Sequence, residues 1–187
     1  MKYIRKNKTD YDILKAQIEG LIEIEDFYLP VVSNAGALIM ENLEELNWAG
    51  FYFTEEFLGL DKKDINKNTN AIYSAHDHSN KERSPLDLIL GPFNGKNACV
   101  KIALGNGVCG TAVKEDKVQV IKNVNEFPGH IACDSASNSE IVLPIHKDGK
   151  IIGVLDIDSP CLERFDEEDK AGLEEFVKVL ESKVNWG

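Results

Sequence analysis

The sequence is poor in cysteine, in long apolar runs and in basic clusters, and each shortage excludes a class of protein. Four cysteines among 187 residues are too few for a disulfide framework, and they form no C-x-x-C pair that would hold structural zinc. No apolar run approaches the roughly 20 residues that span a bilayer. The net charge of −11 disfavours nucleic acids and anionic membranes as partners.

The basic residues that do cluster lie at the start of the chain, between Lys2 and Lys8, as is typical of a solvated tail. This segment lacks the apolar stretch of a secretory signal. A reducing cytoplasm is therefore the expected compartment, and there a cysteine serves catalysis or redox chemistry. The length is that of a single domain over residues 1–187, large enough to bury a full core.

Hydrophobic periodicity predicts an α+β fold with helices at both ends. Thr9 or Asp10 caps a first helix, Pro30 begins a second, and Asp166 with Asp169 begins a closing one. A short helix is expected over residues 108–117. Six strands are predicted over residues 48–53, 86–91, 98–104, 118–124, 140–146 and 150–157.

The connections determine how these elements assemble. Residues 147–149, Lys-Asp-Gly, predict a hairpin, and residues 92–97 are expected to form a turn between the second and third strands. Residues 60–84 are polar and predict a surface insertion. The predicted fold is a six-stranded, mainly antiparallel sheet. The N- and C-terminal helices should cover one face, and the short helix and a long loop the other.

The long loop, residues 127–140, carries more chemistry than any other stretch. It is poor in bulky apolar residues, and connections of this length inside a compact domain are usually functional or disordered. Cys133 lies in it, close to His130, Asp134 and Glu140. These residues indicate a functional loop.

Two further cysteines are candidates for redox chemistry. Cys109 opens the short helix, whose N-terminus should lower the pKa of the thiol. Cys99 lies near the start of a strand, where a buried cysteine is as often a small apolar filler. Cys161, beside Pro160, is best explained as such a filler.

Three carboxylates are predicted to meet beside the loop. Asp156 and Asp158 are two residues apart on a strand and therefore share a face of the sheet. Counting back from the hairpin turn places Glu140 within a residue or two of pairing with Asp156. Mutual repulsion should raise at least one pKa and supply a proton donor near neutrality. An acidic rim and a metal site are the alternatives, and no histidine at matching spacing favours the metal.

Two aromatic residues on the first strand are candidates for a pocket wall. Trp48 and Tyr52 are four residues apart and share a face of the sheet. They are either core aromatics or the apolar wall of a small pocket.

Five segments carry recognisable motifs: NWAGFY (47–52), LGPFNGK (90–96), GNGVCGTA (105–112), the loop with HIACDSAS (130–137), and GVLDIDS (153–159). With three cysteines spaced by 10 and then 24 residues, they resemble the free methionine-(R)-sulfoxide reductases, which are built on a GAF domain. The resemblance runs from about residue 15 to residue 180. It departs from the family pattern in the insertion at 60–84 and in the extra Cys161.

The resemblance implies reduction of free methionine sulfoxide to methionine. Cys133 would be the attacking thiol and become a sulfenic acid, and Cys99 or Cys109 would then form a disulfide with it. Cys109 is the alternative attacking thiol. Thioredoxin would reduce the disulfide, and no metal or organic cofactor is needed.

The remaining candidates acquire roles in the same way. Glu140, Asp156 and Asp158 would bind the ammonium group of a free amino acid, and one of them, held protonated, would polarise the sulfoxide oxygen. Trp48 and Tyr52 would hold the methyl end. The alternative is a GAF module that senses a small ligand or redox state without turnover. The apolar terminal helices leave a homodimer possible.

Overall fold

The computed structural model describes residues 8–60, 84–128 and 136–187. All but the two end residues of the predicted insertion at 60–84 lie outside these ranges, as does Cys133. Within the ranges the elements are α1 Tyr11–Ile22, α2 Tyr28–Asn42, β1 Trp48–Thr54, β2 Leu88–Gly95, β3 Lys101–Ile102, α3 Gly107–Glu115, β4 Gln119–Ile121, β5 Ser139–Lys147, β6 Lys150–Ser159 and α4 Glu167–Lys183.

The six strands form one sheet in the order β3-β2-β1-β6-β5-β4, and every neighbouring pair is antiparallel. The predicted α+β fold is therefore confirmed. The two-residue turn between β5 and β6 places Asp148 and Gly149 at φ 52° and 74°. Positive φ at both positions matches the right-handed twist of the flanking strands, which is why Asp-Gly serves here.

The helix ends follow local chemistry. Asp10 caps α1 by accepting from the backbone N–H groups of Asp12 and Ile13. Asp166 and Asp169 form a complete capping box at the start of α4. Both caps confirm the predictions. Among the described residues, no helix combines the length and the apolar character needed to cross a bilayer.

The predicted turn at residues 92–97 is wrong, because β2 continues through Pro92 as far as Gly95. Opposite it, Gly50 pairs with Phe93 but Tyr52 pairs with Leu90, so β2 carries one extra residue across this interval. Such a bulge bends the strand and accommodates a proline that cannot donate to the ladder. The following strand is correspondingly short, since β3 comprises Lys101 and Ile102 rather than residues 98–104.

The sheet buries both of its faces. On one face lie α1, α2 and α4 with alternate strand residues, including Phe51, Leu143 and Leu155. On the other face α3 packs against Trp48, Tyr52 and their neighbours on β5 and β6. Because both faces are covered, all seven residues of β1 are buried. The predicted division of the helices between the faces is confirmed.

A buried ion pair holds the start of β5 in place. Arg164 and Asp169 are 1% and 0% exposed, and Nη1 of the arginine lies 3.0 Å from Oδ2 of the aspartate. Arg164 also donates through Nε to the carbonyl of Glu44, and its backbone N–H donates to Oγ of Ser139. Ser139 immediately precedes Glu140, so this pair anchors the strand end that carries one of the candidate acids.

One histidine joins α3 to α4. His146, near the end of β5, places Nε2 2.8 Å from Oδ1 of Asp116 and Nδ1 2.8 Å from Oε1 of Glu181. Burial lowers the pKa of His146, but the hydrogen bonds and charges of Asp116 and Glu181 outweigh burial and raise the pKa above its usual value. The imidazole, whose charged form these two acids favour, therefore connects the two helices.

Candidate active site

The register of the β5–β6 hairpin brings the three predicted acids together. Glu140 pairs with Asp158, and Val142 pairs with Asp156, so Glu140 is offset from Asp156 by two residues on the same face. This confirms the predicted proximity. Glu140 and Asp156 are each only 6% exposed, and Asp158 is half-buried at the edge of the group.

Cys109 reaches the same group from α3. The turn before α3 packs so closely that a Cβ at Gly110 would lie 2.4 Å from the carbonyl oxygen of Ala103, so only glycine fits. The Cys109 thiol is 3.9 Å from Oε1 of Glu140 and donates to it. Sγ of Cys109 and one carboxylate oxygen each of Glu140 and Asp156 lie within 4.8 Å of one another.

Burial sets the protonation of these groups. Burial, followed by the charges of Asp156 and Glu140, raises the pKa of the Cys109 thiol well above its usual value. The expected lowering of this pKa by the helix N-terminus is therefore wrong. The dipole effect is a fraction of that of a full charge, whereas two carboxyl groups lie within a few ångströms.

The pKa values of the two buried acids are also raised. Burial, followed by the charges of Asp156 and Asp158, raises the pKa of Glu140 well above its usual value. Burial raises the pKa of Asp156 to about 6, although hydrogen bonds from Cys109 and Glu140 act in the opposite direction. The predicted rise in at least one carboxyl pKa is confirmed in direction, with burial rather than mutual repulsion as its largest cause.

One oxygen of this group has no hydrogen-bond partner among the residues that the structure describes. Oδ1 of Asp156 is buried and accepts no hydrogen bond from the residues that the structure describes. A buried acceptor without a donor is costly, and in a native protein it indicates strain, a catalytic role, or a bound water or ion. Asp156 is therefore positioned to accept from a bound molecule.

Trp48 and Tyr52 form an aromatic wall beside the acids. Gly50, which lies between them on β1, pairs with Asp156 on β6. The two rings are 5.9 Å apart, and the ring of Phe93 stacks on that of Trp48 at 5.3 Å. Burial, followed by the charge of Asp156, raises the pKa of Tyr52, so its hydroxyl remains protonated.

The wall depends on a glycine that the sequence argument did not single out. A Cβ on Gly50 would lie 2.6 Å from the Trp48 ring and 2.4 Å from Cβ of Phe93. The small residue between two aromatics in NWAGFY is the available signal for it. Trp48 also donates from Nε1 to the carbonyl of Lys96 at 3.0 Å, which ties the wall to the segment that precedes Cys99.

The four cysteines differ in state and location. Cys99 is half-buried and disulfide-bonded, whereas Cys109 and Cys161 are free. Cys133 and the loop residues 129–135 lie outside the described residues, so the structure places neither of them. The structure brings Cys109 into the acidic group, a contact that the sequence did not predict, and Cys161 lies apart, with Sγ 3.8 Å from Oε2 of Glu45.

The C-terminal end of the cysteine loop is attached to the rim of the acidic group. The backbone N–H of Asn138 donates to the carbonyl of Ser159, one residue from Asp158. The side chain of Asn47, next to Trp48, donates to Oγ of Ser137. Asn47 and Ser137 were not predicted, because their contact joins segments 90 residues apart.

Comparison with known proteins identifies the fold family. The family model described as GAF domain matches residues 36–181. The free methionine-R-sulfoxide reductase of Escherichia coli is 44% identical over 94% of this chain and 89% of its own length. The chain belongs to the free methionine-(R)-sulfoxide reductase family.

Two other similarities extend the match. Protein YtsP of Bacillus subtilis is 48% identical over 95% of this chain and 92% of its own length. The structure of fRMsr of Staphylococcus aureus in complex with substrate has a TM-score of 0.76 and 44% identity, covering 97% of this chain and 100% of that chain. The reductase family and the GAF fold expected from the motifs are thereby confirmed.

Proposed function

We propose that this chain reduces free methionine-(R)-sulfoxide to methionine, with Cys133 as the attacking thiol. The observation that carries the proposal is the buried group of Cys109, Glu140 and Asp156 beside Trp48 and Tyr52. It occurs in a chain 44% identical to the Escherichia coli free methionine-R-sulfoxide reductase. The same group supplies what this substrate requires.

The acids select a free amino acid. A free methionine sulfoxide carries an ammonium group that a methionine inside a peptide lacks, and carboxylates are its natural partners. Oδ1 of Asp156 is buried without a described partner, so it can accept from that ammonium group with no hydrogen bond to break. Asp158, at the edge of the group, supplies a further acceptor.

The proton supply follows from the raised carboxyl pKa values. A sulfoxide sulfur becomes electrophilic when its oxygen accepts a proton or a strong hydrogen bond. Glu140, whose pKa is raised well above its usual value, retains a proton that it can donate to this oxygen. Trp48 and Tyr52 hold the methyl end and thereby distinguish the two sulfoxide epimers.

The reaction balances through two thiols. The thiolate of Cys133 attacks the sulfoxide sulfur. The substrate's oxygen, with a proton, is transferred to the sulfur of Cys133 to give a sulfenic acid, and methionine leaves. A second thiol then attacks that sulfur, expelling water and forming a disulfide. The sulfoxide thus gains two electrons and two protons, and the two thiols lose them.

Cys99 is the second thiol in this proposal. It is disulfide-bonded, Cys109 and Cys161 are free, and the remaining cysteine of the chain is Cys133. Cys109 is disfavoured as the attacking thiol because burial and two neighbouring acids raise its pKa. Its role is instead to donate a hydrogen bond within the acidic group.

The proposal includes a reductant and a compartment. Thioredoxin reduces the disulfide by thiol exchange, and the chain acts in a reducing cytoplasm without a metal or organic cofactor. A homodimer and a single domain over residues 1–187 remain predictions. Sedimentation and limited proteolysis test these two.

The deciding experiment supplies thioredoxin, thioredoxin reductase, NADPH and free methionine-(R)-sulfoxide. We expect NADPH consumption with the wild type and background rates with Cys133→Ser. Cys161→Ser is the matched control and should remain active. An active Cys133→Ser with an inactive Cys109→Ser would show that the attacking thiol is Cys109. Substrate binding in a calorimeter without any NADPH consumption would indicate the GAF sensor instead.

A further inference from the structure

We infer that Cys109, Glu140 and Asp156 form a binding site for a thiophilic divalent cation, with Zn²⁺ as the representative ion. The site offers one thiol and two carboxylates on three different elements: α3, β5 and β6. In the sequence, the three carboxylates have no histidine at matching spacing that would complete a metal site. The fold supplies the missing ligand from Cys109, 31 residues before Glu140.

The distances suit this ion. Sγ of Cys109 and one oxygen of each carboxylate are within 4.8 Å of one another, and the thiol is 3.9 Å from Oε1 of Glu140. Tetrahedral zinc, with bonds of about 2.3 Å to sulfur and about 2.0–2.2 Å to oxygen, separates its ligand atoms by roughly 3.5 Å. Contraction of the site by about 1 Å, within reach of small side-chain rotations, therefore encloses the ion.

An independent observation indicates a missing partner at this position. Asp156 is 6% exposed, and its Oδ1 atom accepts no hydrogen bond from the described residues. None of the ion pairs between described residues involves Glu140 or Asp156. Buried carboxylates normally either pair with a cation or coordinate a metal.

The donor set determines which cations fit. A thiolate selects zinc and similar ions over Mg²⁺ and Ca²⁺, which take oxygen ligands and more of them. Three protein ligands also leave a fourth tetrahedral position open, as in zinc sites that exchange their last ligand. The site is therefore one for reversible occupation by zinc.

The site is present when Cys99 is disulfide-bonded. Cys109 is free in the structure in which Cys99 is disulfide-bonded, and its distances to the acids are those of that state. Zinc binding can thus be measured on oxidised protein, in which Cys99 offers no thiol. This separates the site from zinc capture by the other cysteines.

Occupation by zinc has a consequence that rests on the proposed function. The ion uses the same carboxylate oxygens that the substrate ammonium group would use. Zinc and free methionine sulfoxide therefore compete, and zinc acts as a reversible inhibitor of the resting enzyme.

The test is a calorimetric titration of the oxidised, full-length protein with ZnCl₂, and with MgCl₂ as the reference cation. We expect one zinc per chain, no Mg²⁺ binding at the same concentrations, and a loss of at least about 10- to 100-fold in zinc affinity in Cys109→Ala, since even the loss of a partner that only orients a metal ligand costs that much. Cys161→Ala is the matched control. Its thiol is equally close to a carboxylate, 3.8 Å from Glu45, but it is half-buried and outside the acidic group. Equal affinity in the wild type and Cys109→Ala overturns the site.

A second measurement uses only the wild type, in case the variant fails to fold. Zinc should slow alkylation of Cys109, measured by mass spectrometry, and leave alkylation of Cys161 unchanged. Equal alkylation rates of Cys109 with and without zinc also overturn the site.

Competition is measured by repeating the zinc titration in saturating free methionine-(R)-sulfoxide. A lower apparent zinc affinity supports competition, and an unchanged affinity overturns it while leaving the zinc site in place. Failure of the proposed function would be seen separately, as an absence of NADPH consumption in the thioredoxin assay.

Discussion

Two buried acidic groups in this molecule differ in whether a cation accompanies them. Asp169 is fully buried, and it is matched by Arg164 at 3.0 Å and by the hydroxyl of Tyr11 at 2.6 Å. Glu140 and Asp156 are almost as buried, but their neighbour is a thiol, and Oδ1 of Asp156 has no partner among the described residues. In the first group the buried acid has a cation as its partner, and in the second group a bound ligand would have to supply the partner.

The difference shows how a buried acid that stabilises the structure can be distinguished from one that serves a binding site. A buried charge pair with all its hydrogen bonds made holds elements together, and removing one member leaves an uncompensated charge. A buried acid without a cation raises its own pKa and carries an energetic cost that the rest of the fold must offset. Such a cost is typical of a site that binds something.

Breaking the pair of Arg164 and Asp169 should have the largest effect on stability. Arg164→Met leaves Asp169 buried and charged, so we expect the free energy of unfolding to fall by about 3–5 kcal/mol. The activity of the folded fraction should be retained. Urea unfolding measures the loss. The double variant Arg164→Met/Asp169→Leu should recover most of it, and a double variant as unstable as the single one would contradict this account.

Disrupting the group of Glu140 and Asp156 should instead reduce activity and not stability. Asp156→Asn removes a charged acceptor for the substrate, so kcat/KM should fall by about 100-fold, as for loss of a hydrogen bond to a charged group. The free energy of unfolding should not fall and should rise at neutral pH, since the variant removes a buried charge that no cation accompanies. The thioredoxin-coupled assay and urea unfolding measure the two quantities.

The control for this change is a buried acid outside the site. Glu55 is 3% exposed and lies 2.9 Å from Lys101. Glu55→Gln should leave kcat/KM of the folded fraction unchanged. Comparable losses of kcat/KM in the two variants would mean that Asp156 acts only through folding.

A smaller effect is expected from Gly50→Ala, which changes the wall but not the acids. The new methyl group meets the Trp48 ring at 2.6 Å, and overpacking of this kind costs about 1–3 kcal/mol. Because Trp48 must shift, we expect KM to rise. Gly20→Ala on α1 is the control, since nothing lies within 4 Å of its Cβ. That variant should be slightly more stable, and an unchanged KM in Gly50→Ala would exclude the wall from binding.

The smallest expected effect concerns a partly exposed histidine with two acidic partners. The pKa of His146 is raised in the folded state, so its contribution to stability is fully present below pH 6.5 and is lost as the pH rises through the raised pKa. The difference in unfolding free energy between wild type and His146→Gln should therefore be largest below pH 6.5. We expect less than about 1 kcal/mol, because solvent screens the pair.

Denaturant unfolding at several pH values measures this difference, and subtracting the variant removes the contribution of the other titrating groups. A difference that grows with pH would contradict the assignment of a charged His146 between Asp116 and Glu181.

Local patterns in the sequence predicted much of the fold. The capping residues Asp10 and Asp166, the Asp-Gly hairpin turn and the shared face of Asp156 and Asp158 are consequences of spacing over a few residues. The hairpin also determines where Glu140 lies, because the turn sets the register of both strands. For these features, short-range geometry was sufficient.

Other features depended on segments that are far apart in the chain. The turn expected at residues 92–97 is strand, because β1 pairs with β2 there and a bulge accommodates Pro92. The fit of Gly50 depends on where the rings of Trp48 and Phe93 lie. Neither could be predicted from local preference, since each is settled by a partner strand.

The sequence by itself determined which residues carry chemistry: three acids, two aromatics and a set of cysteines in recognisable motifs. Only the tertiary structure determined in which direction the pKa of the Cys109 thiol is shifted. At a helix N-terminus it should have been acidic, but α3 brings it to 3.9 Å from Glu140 in a buried site, and its pKa rises. The physical reason is that charge and solvation act through space, and the sequence records distance only along the chain.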